Sequence, residues 1–156
     1  MHSKNINLLC SLSAIFFLFS CSNKSIPYSA KVNYLSSTDG TITVRAIGLG
    51  QNQQAAIEDA EKNALEVVLF RGLPESEQKI ALLSTNEKEE KQKNQVYFDQ
   101  FYKGRLYKTF LMSSIPTANA INMKGGSKSI AVDVKLNVTA LRKDLEKKNI
   151  IKKFGY

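Results

Sequence analysis

The side chains that could supply an imidazole base, a thiol nucleophile or a soft metal ligand are few, and they lie near the start of the chain. The 156-residue sequence contains one histidine, His2, and two cysteines, Cys10 and Cys21. Imidazole-activated serine or cysteine catalysis and zinc sites built from His and Cys need these residue types in the folded body. The sequence after Cys21 contains neither type. We therefore expect neither chemistry there, and we expect no metal site and no disulfide.

Carboxylates are the remaining candidates for hydrolysis, which in glycosidases requires two of them facing one cleft. The densest group falls on the polar side of a predicted helix and comprises Glu58, Asp59, Glu61 and Glu66. We interpret these side chains as solvated helix surface. The sequence therefore does not predict an enzyme.

A glycine pair between a predicted strand and a predicted helix has the position of a dinucleotide-binding loop. Gly48 and Gly50 supply the first two glycines of such a fingerprint, but Gln53 replaces the third. No acidic ribose partner is evident about 20 residues later. We expect these glycines to break the strand and to allow a tight turn, and we expect no cofactor.

The first twenty residues have the organisation of a signal peptide. A short polar start carries Lys4, and a mostly apolar run follows over residues 8–19. This run is shorter than the roughly 20 residues that a membrane-spanning helix needs. It ends in Leu18-Phe19-Ser20-Cys21, which resembles the lipobox of bacterial lipoproteins. The resemblance implies cleavage before Cys21 and acylation of its sulfur by palmitate-type chains.

The alternative is a conventional secretory signal, with Cys21 left as an ordinary cysteine. An unpaired thiol in an oxidising compartment disfavours this alternative. Lipidation predicts stable attachment to a membrane, because two or three acyl chains anchor a protein where one chain binds only marginally. Neither an acidic run nor an Asp follows Cys21 directly. By analogy with lipoprotein sorting signals, we expect an outer-membrane protein that faces the periplasm.

The remaining chain predicts a tether over residues 21–30 and one α+β domain over residues 31–156. We expect an antiparallel sheet of about four strands, with one long Ala-rich helix and shorter helices packed on one face. Alternating or β-rich segments predict strands over 31–35, 41–47, 104–114 and 129–138, with a turn over 36–40. Helical spacing predicts helices over 53–71, near 80–83 and over 96–102. A closing helix follows Thr139, which can cap its start. The polar stretch 86–95 fits either a loop or a solvated helix.

Small residues recur along the long predicted helix. Asn52 can cap its start, and Ala56, Ala60 and Ala64 fall on adjacent turns. Because these side chains lack bulk, we expect the helix backbone to approach the strands closely.

Two sets of side chains are candidates for contact with a partner. The C-terminal lysines Lys147, Lys148, Lys152 and Lys153 could contact anionic lipid or polysaccharide, or could only complement the helix dipole. Tyr97 and Tyr102 belong to an aromatic stripe at helical spacing that fits either the core or a contact surface. The formal net charge of +8 also permits nucleic acid, but export argues against that partner.

The segment Ile42-Thr43-Val44-Arg45-Ala46-Ile47-Gly48-Leu49-Gly50, followed by an alanine-periodic helix that ends near Leu69-Phe70-Arg71-Gly72, carries a family resemblance. It resembles the small lipoprotein domain shared with the N-terminal domain of the flagellar assembly protein FlgT. The resemblance covers residues 41–138. It implies an exported, noncatalytic module with helices on a sheet, used in building envelope structures.

We therefore predict a membrane-anchored periplasmic lipoprotein that acts as a noncatalytic structural or assembly component of a cell-envelope machine of the secretion, conjugation or flagellar type. Its expected partners are the membrane, through the anchor, and an envelope protein complex. The alternative is a binding module for anionic envelope lipid or polysaccharide that uses the basic C-terminal helix.

Overall fold

Two ten-residue strands form the centre of the computed structural model, which describes residues 31–83 and 85–153. The strands are β1 Val32–Thr38, β2 Thr41–Gly50, β3 Leu111–Pro116, β4 Ile121–Asn122 and β5 Lys128–Asn137. The helices are α1 Gln53–Phe70, α2 Glu87–Lys93, α3 Gln95–Tyr102 and α4 Val138–Lys147, with a 3₁₀ helix at Leu106–Phe110. The protein therefore has the predicted α+β fold.

All five strands are antiparallel, in the order β1-β2-β5-β3, and the two-residue β4 also pairs with β5. The strands β2 and β5 pair along their whole length, from Thr41 opposite Asn137 to Gly50 opposite Lys128. The predicted alternation of β5 is confirmed, because its even-numbered residues from Ile130 to Leu136 are buried. The short β4 accounts for five strands where about four were expected.

The predicted hairpin of β1 and β2 is confirmed, although its turn is shorter than expected. Asp39 and Gly40 form the turn and both have positive φ, 49° and 74°. Two-residue hairpins favour this backbone because its twist matches that of the strands. Residues 36–38, predicted as turn, therefore belong to β1.

Helix α1 packs closely on the central strands, as its alanines predict. Ala56, Ala60 and Ala64 are fully buried, and the side chain of Asn52 caps the helix by accepting a hydrogen bond from the Ala55 N–H. A Cβ atom at Gly48 would lie 1.9 Å from the carbonyl oxygen of Ala56. The expectation that the glycines break the strand was wrong: β2 continues to Gly50, and the missing side chains make room for the helix.

No helix forms at residues 80–83, which corrects the expectation for that segment. The N–H groups of Leu82 and Leu83 donate to the carbonyl oxygens of Val68 and Leu69 near the end of α1. The last carbonyls of a helix lack partners within the helix. The segment therefore satisfies the end of α1 instead of forming its own helix.

The strand predicted over 104–114 begins only at Leu111, after the 3₁₀ helix. Tyr107 and Phe110 are both buried, and a 3₁₀ helix places residues three apart on the same side. A strand would direct these two rings to opposite faces. The burial of both rings therefore explains the local helix.

The closing helix α4 is confirmed, with Leu141 and Leu145 fully buried, but its cap was assigned wrongly. Asn137, and not Thr139, accepts the hydrogen bond from the Ala140 N–H. The Thr139 hydroxyl donates instead to the carbonyl oxygen of Gly40. This bond ties the start of α4 to the hairpin turn.

Candidate interaction surfaces

The sheet face opposite α1 carries a row of aliphatic side chains. Because side chains alternate along a strand, the odd-numbered residues of β2 and β5 face away from the buried side. Their register places Ile47 opposite Ala131 in neighbouring strands, and the edge strands add Ile115 and Ile121. We call the following residues the open face: Arg45, Ile47, Leu49, Ile115, Ile121, Ala131 and Asp133.

The isoleucines from the edge strands are the most accessible part of the open face. The exposed fractions of Ile115 and Ile121 are 62% and 67%, and those of Ile47 and Leu49 are 37% and 38%. Scattered exposed aliphatic residues are ordinary, whereas a contiguous group is typical of an interaction surface. The open face can therefore bury apolar area against another molecule.

A two-pronged ion pair crosses the open face between its central strands. The Arg45 guanidinium donates to both carboxylate oxygens of Asp133, over 2.7 Å and 2.9 Å. This hydrogen bond lowers the pKa of Asp133 and raises the pKa of Arg45. The two charges compensate each other, so that a partner can cover them without a net charge remaining.

The edges of the sheet are less suited to docking than its face. Strand β1 has a register irregularity between Tyr34 and Ser36, and β3 has one between Leu111 and Ser113. Pro116 at the end of β3 has no N–H group to donate. Bulges and prolines of this kind hinder the addition of another strand. Contact through the face is therefore favoured over strand addition.

The carboxylates predicted to be solvated include two that the structure buries, which corrects that expectation. Glu61 and Glu66 have exposed fractions of 3% and 8%. Glu61 pairs with Lys108, and Glu66 accepts a 2.9 Å hydrogen bond from Lys91. Burial alone would lower the pKa of Lys91, but hydrogen bonds to Glu87 and Glu66 outweigh it and raise that pKa. These ion pairs join α1 to the segments that follow it.

Glu58 also takes part in the packing of α1. Burial opposes ionisation of its carboxylate, but a hydrogen bond from Gln54 and the positive charge of Arg105 prevail and lower its pKa. Arg105 forms an ion pair with Glu58. This ion pair thus joins α1 to the residue that precedes the 3₁₀ helix.

The aromatic stripe of α3 faces the interior. Tyr97 has an exposed fraction of 7%, and its hydroxyl donates a 2.9 Å hydrogen bond to Asp144 of α4. Burial and this carboxylate raise the pKa of Tyr97. Tyr102 is half-buried, stacks on Phe98 and lies 4.7 Å from the Lys91 ammonium. Tyr97 therefore offers little of its ring to a partner, and Tyr102 offers more.

The four C-terminal lysines Lys147, Lys148, Lys152 and Lys153 are all exposed. Lys148 differs from the others because it lines a groove with a volume of about 430 Å³. The groove lies between the junction of α2 and α3 and the end of α4, and Lys93 lines it as well. Sequence reasoning missed Lys93, which lies in the polar stretch described only as a loop or solvated helix. Cys21, the predicted acylation site, lies outside the described residues.

Within residues 31–83 and 85–153, no group of three or more His, Cys, Asp or Glu side chains could hold a metal ion. None of the helices in these ranges is both long and apolar enough to cross a membrane.

No protein-family model, no curated protein and no solved structure matches this chain. The lipobox and the similarity to the FlgT N-terminal domain therefore remain predictions from the residues that carry them.

Proposed function

We propose that this protein is a lipoprotein anchored by Cys21 in the outer membrane and facing the periplasm. In this proposal it is a noncatalytic structural or assembly component of a cell-envelope machine, and it docks on a larger complex through the open face. The observation that carries the docking proposal is the aliphatic row on the sheet face that no described element covers. The anchor rests on the sequence alone.

The anchor and the open face would act together. A tether of about ten residues, at about 3.3 Å per residue, lets the folded body stand at most about 30 Å from the bilayer. The tether leads directly into β1, at one edge of the sheet. An anchored protein meets its partners at the membrane, where tethering raises their local concentration. A modest apolar surface is therefore sufficient for docking.

Site-specific photocrosslinking tests the docking proposal. A photoreactive amino acid replaces Ile115 or Ile121 in the full lipidated chain in its own cells, and Lys143 on α4 serves as the exposed control position. We expect the two open-face positions to crosslink to the same envelope protein and Lys143 not to do so. Equal crosslinking from all three positions, or none from the open face, would reject docking through this surface.

The anchor has a separate test. The intact mass of the N-terminal peptide, extracted from membranes, should equal that of a peptide that begins at an acylated Cys21. A peptide that begins elsewhere, or one that carries a free thiol at Cys21, would contradict the anchor while leaving the docking surface to be judged by crosslinking.

The exposed C-terminal lysines favour a second candidate function, the binding of an anionic envelope lipid or polysaccharide. This function predicts salt-sensitive retention on such material. Replacement of Lys147, Lys148, Lys152 and Lys153 by Gln should abolish the retention. Unchanged retention of this variant would reject the second candidate.

A further inference from the structure

The groove beside Lys148 has a rim of polar side chains without partners in the fold. Lys93 and Lys148 form no ion pair with other described residues. The side-chain amides of Gln92, Gln95 and Gln100 also line the groove and form no hydrogen bond within the described part of the chain. Two ammonium groups and three amides are therefore available to a ligand.

Four further residues form the rest of the groove surface: Asn94, whose side-chain amide donates to Glu90, and three apolar residues. Val96, Tyr97 and Ile150 line it, and Val96 has an exposed fraction of 77%. Because Val96 is exposed, it can contact the C–H groups of a ligand in the groove, whereas the buried Tyr97 offers little of its ring.

The walls of the groove are fixed relative to each other. The hydrogen bond from Tyr97 to Asp144 joins α3 to α4. At the end of α4, the Ile150 N–H donates to the carbonyl oxygen of Leu145, and Asn149 adopts a left-handed backbone with φ of 56°. This turn terminates the helix and places Lys148 and Ile150 beside α3. The groove thus lies between two helices that a hydrogen bond joins.

We propose that this groove binds an oligosaccharide that carries carboxylate groups. Ammonium groups pair with carboxylates, amides can both donate to and accept from sugar hydroxyl or acetamido groups, and apolar side chains pack on the faces of sugar rings. The groove volume of about 430 Å³ lies in the ordinary range for small-molecule sites. The apolar side chains of Val96 and Ile150 beside the two cations favour a saccharide over a lipid headgroup, because sugar rings present C–H faces to such side chains. The proposal narrows the second candidate function and is independent of docking through the open face.

Titration calorimetry with the full lipidated chain in nonionic detergent tests the proposal. The probes are a glycan with lactyl carboxylates, an oligomer of uronic acid and a neutral oligomer of N-acetylglucosamine. We expect one or both acidic glycans to bind about tenfold more tightly than the neutral one. The acidic glycan with the higher affinity shows whether the groove prefers lactyl or uronic carboxylates. Equal affinity for the neutral oligomer would overturn the proposal.

Two variants with the same loss of charge separate the groove from general electrostatic attraction. K93Q/K148Q removes the two groove cations, and K147Q/K152Q removes two exposed lysines that do not line the groove. We expect about tenfold weaker binding for the first variant and less than a twofold change for the second. An equal loss of affinity in both variants would overturn the proposal that the glycan binds in the groove, and it would leave the second candidate function standing.

The amides have their own variant, Q95A/Q100A, which keeps the charge and places a good helix former at two positions of α3. We expect it to weaken binding of acidic glycans several-fold with an unchanged circular dichroism spectrum. Unchanged affinity would overturn the saccharide assignment, and so would equally potent displacement of the glycan by glycerol 3-phosphate, a soluble phosphate headgroup.

Discussion

The two faces of the central strands differ most where β2 approaches its end. On the covered side, Ala46 and Gly48 have minimal side chains, and helix α1 packs against them. On the open side, the neighbouring positions carry Ile47 and Leu49. One short segment thus packs closely on α1 with its covered side and presents aliphatic side chains on the open face. The covered side should therefore determine stability, whereas the open side should determine binding.

The largest expected effect on stability comes from adding a side chain between β2 and α1. In Gly48→Val, the new Cβ would lie 1.9 Å from the Ala56 carbonyl oxygen and 2.4 Å from the Ala60 nitrogen, so that helix and strand must separate. We expect the free energy of unfolding in urea to fall by at least about 3 kcal/mol. The matched control on the open side is Leu49→Val, for which we expect a change of about 1 kcal/mol or less. Similar losses for both variants would contradict the division of roles between the faces.

A second comparison concerns the two kinds of ion pair on opposite sides of the sheet. In Lys108→Met, the Glu61 carboxylate loses its cation while 3% exposed, and we expect a loss of about 3 kcal/mol in the free energy of unfolding. Adding Glu61→Gln should recover part of that loss, because the uncompensated charge is removed. The exposed pair of Arg45 and Asp133 gives the contrast.

For Arg45→Met, urea denaturation should show a much smaller change than for Lys108→Met, because water can solvate the Asp133 carboxylate. An equal or larger change for Arg45→Met would mean that the open face contributes to stability as much as the buried layer does.

Tyrosine ionisation should weaken the covered layer at high pH. Burial and the charges of Glu61 and Glu58 raise the pKa of Tyr107 to about 12, against about 10 in the unfolded chain. The folded state therefore keeps its proton where the unfolded state loses it. The resulting stability is present below pH 10 and disappears between about pH 10 and 12, on the order of 2 kcal/mol.

Urea unfolding at pH 9, 10 and 11, with absorbance at 295 nm to follow ionisation, measures this dependence. Tyr107→Phe removes the titrating group and should flatten the fall in stability, while the raised pKa of Tyr97 leaves a residual slope of the same sign. A slope that does not change in the variant would assign the alkaline sensitivity to other groups.

Periodicity predicted the elements in which one pattern dominates. The alternation of β5 and the alanines of α1 have only one regular interpretation, and both are confirmed. In the segment that starts at Leu106, the apolar residues satisfy both a period of two and a spacing of three. Contacts of the aromatic rings in this segment with Phe101 of α3 and with Lys62 of α1 decide between them, and that is tertiary information absent from the local sequence.

The candidate sites show the same limit. The sequence pointed to Lys148, but the groove requires the end of α4 to lie beside a junction of helices more than fifty residues earlier in the chain. The open face was foreseeable as one side of alternating strands. The side that α1 covers carries the small residues Ala46 and Gly48. Gly48 was expected to break the strand and allow a turn, whereas the structure uses it as a packing site for the helix.

The smallest effect on stability should accompany the largest effect on partner binding. Ile115→Ser and Ile121→Ser replace side chains that are more than 60% exposed, so the free energy of unfolding should change by no more than about 0.5 kcal/mol. If the open face is a docking surface, the double variant should nevertheless lose the crosslinked partner, because the apolar area that the complex would bury is gone. Loss of both stability and partner would show that these residues support the fold, whereas retention of both would remove the open face from consideration. Only an unchanged free energy of unfolding together with loss of the crosslinked partner supports the open face as a docking surface.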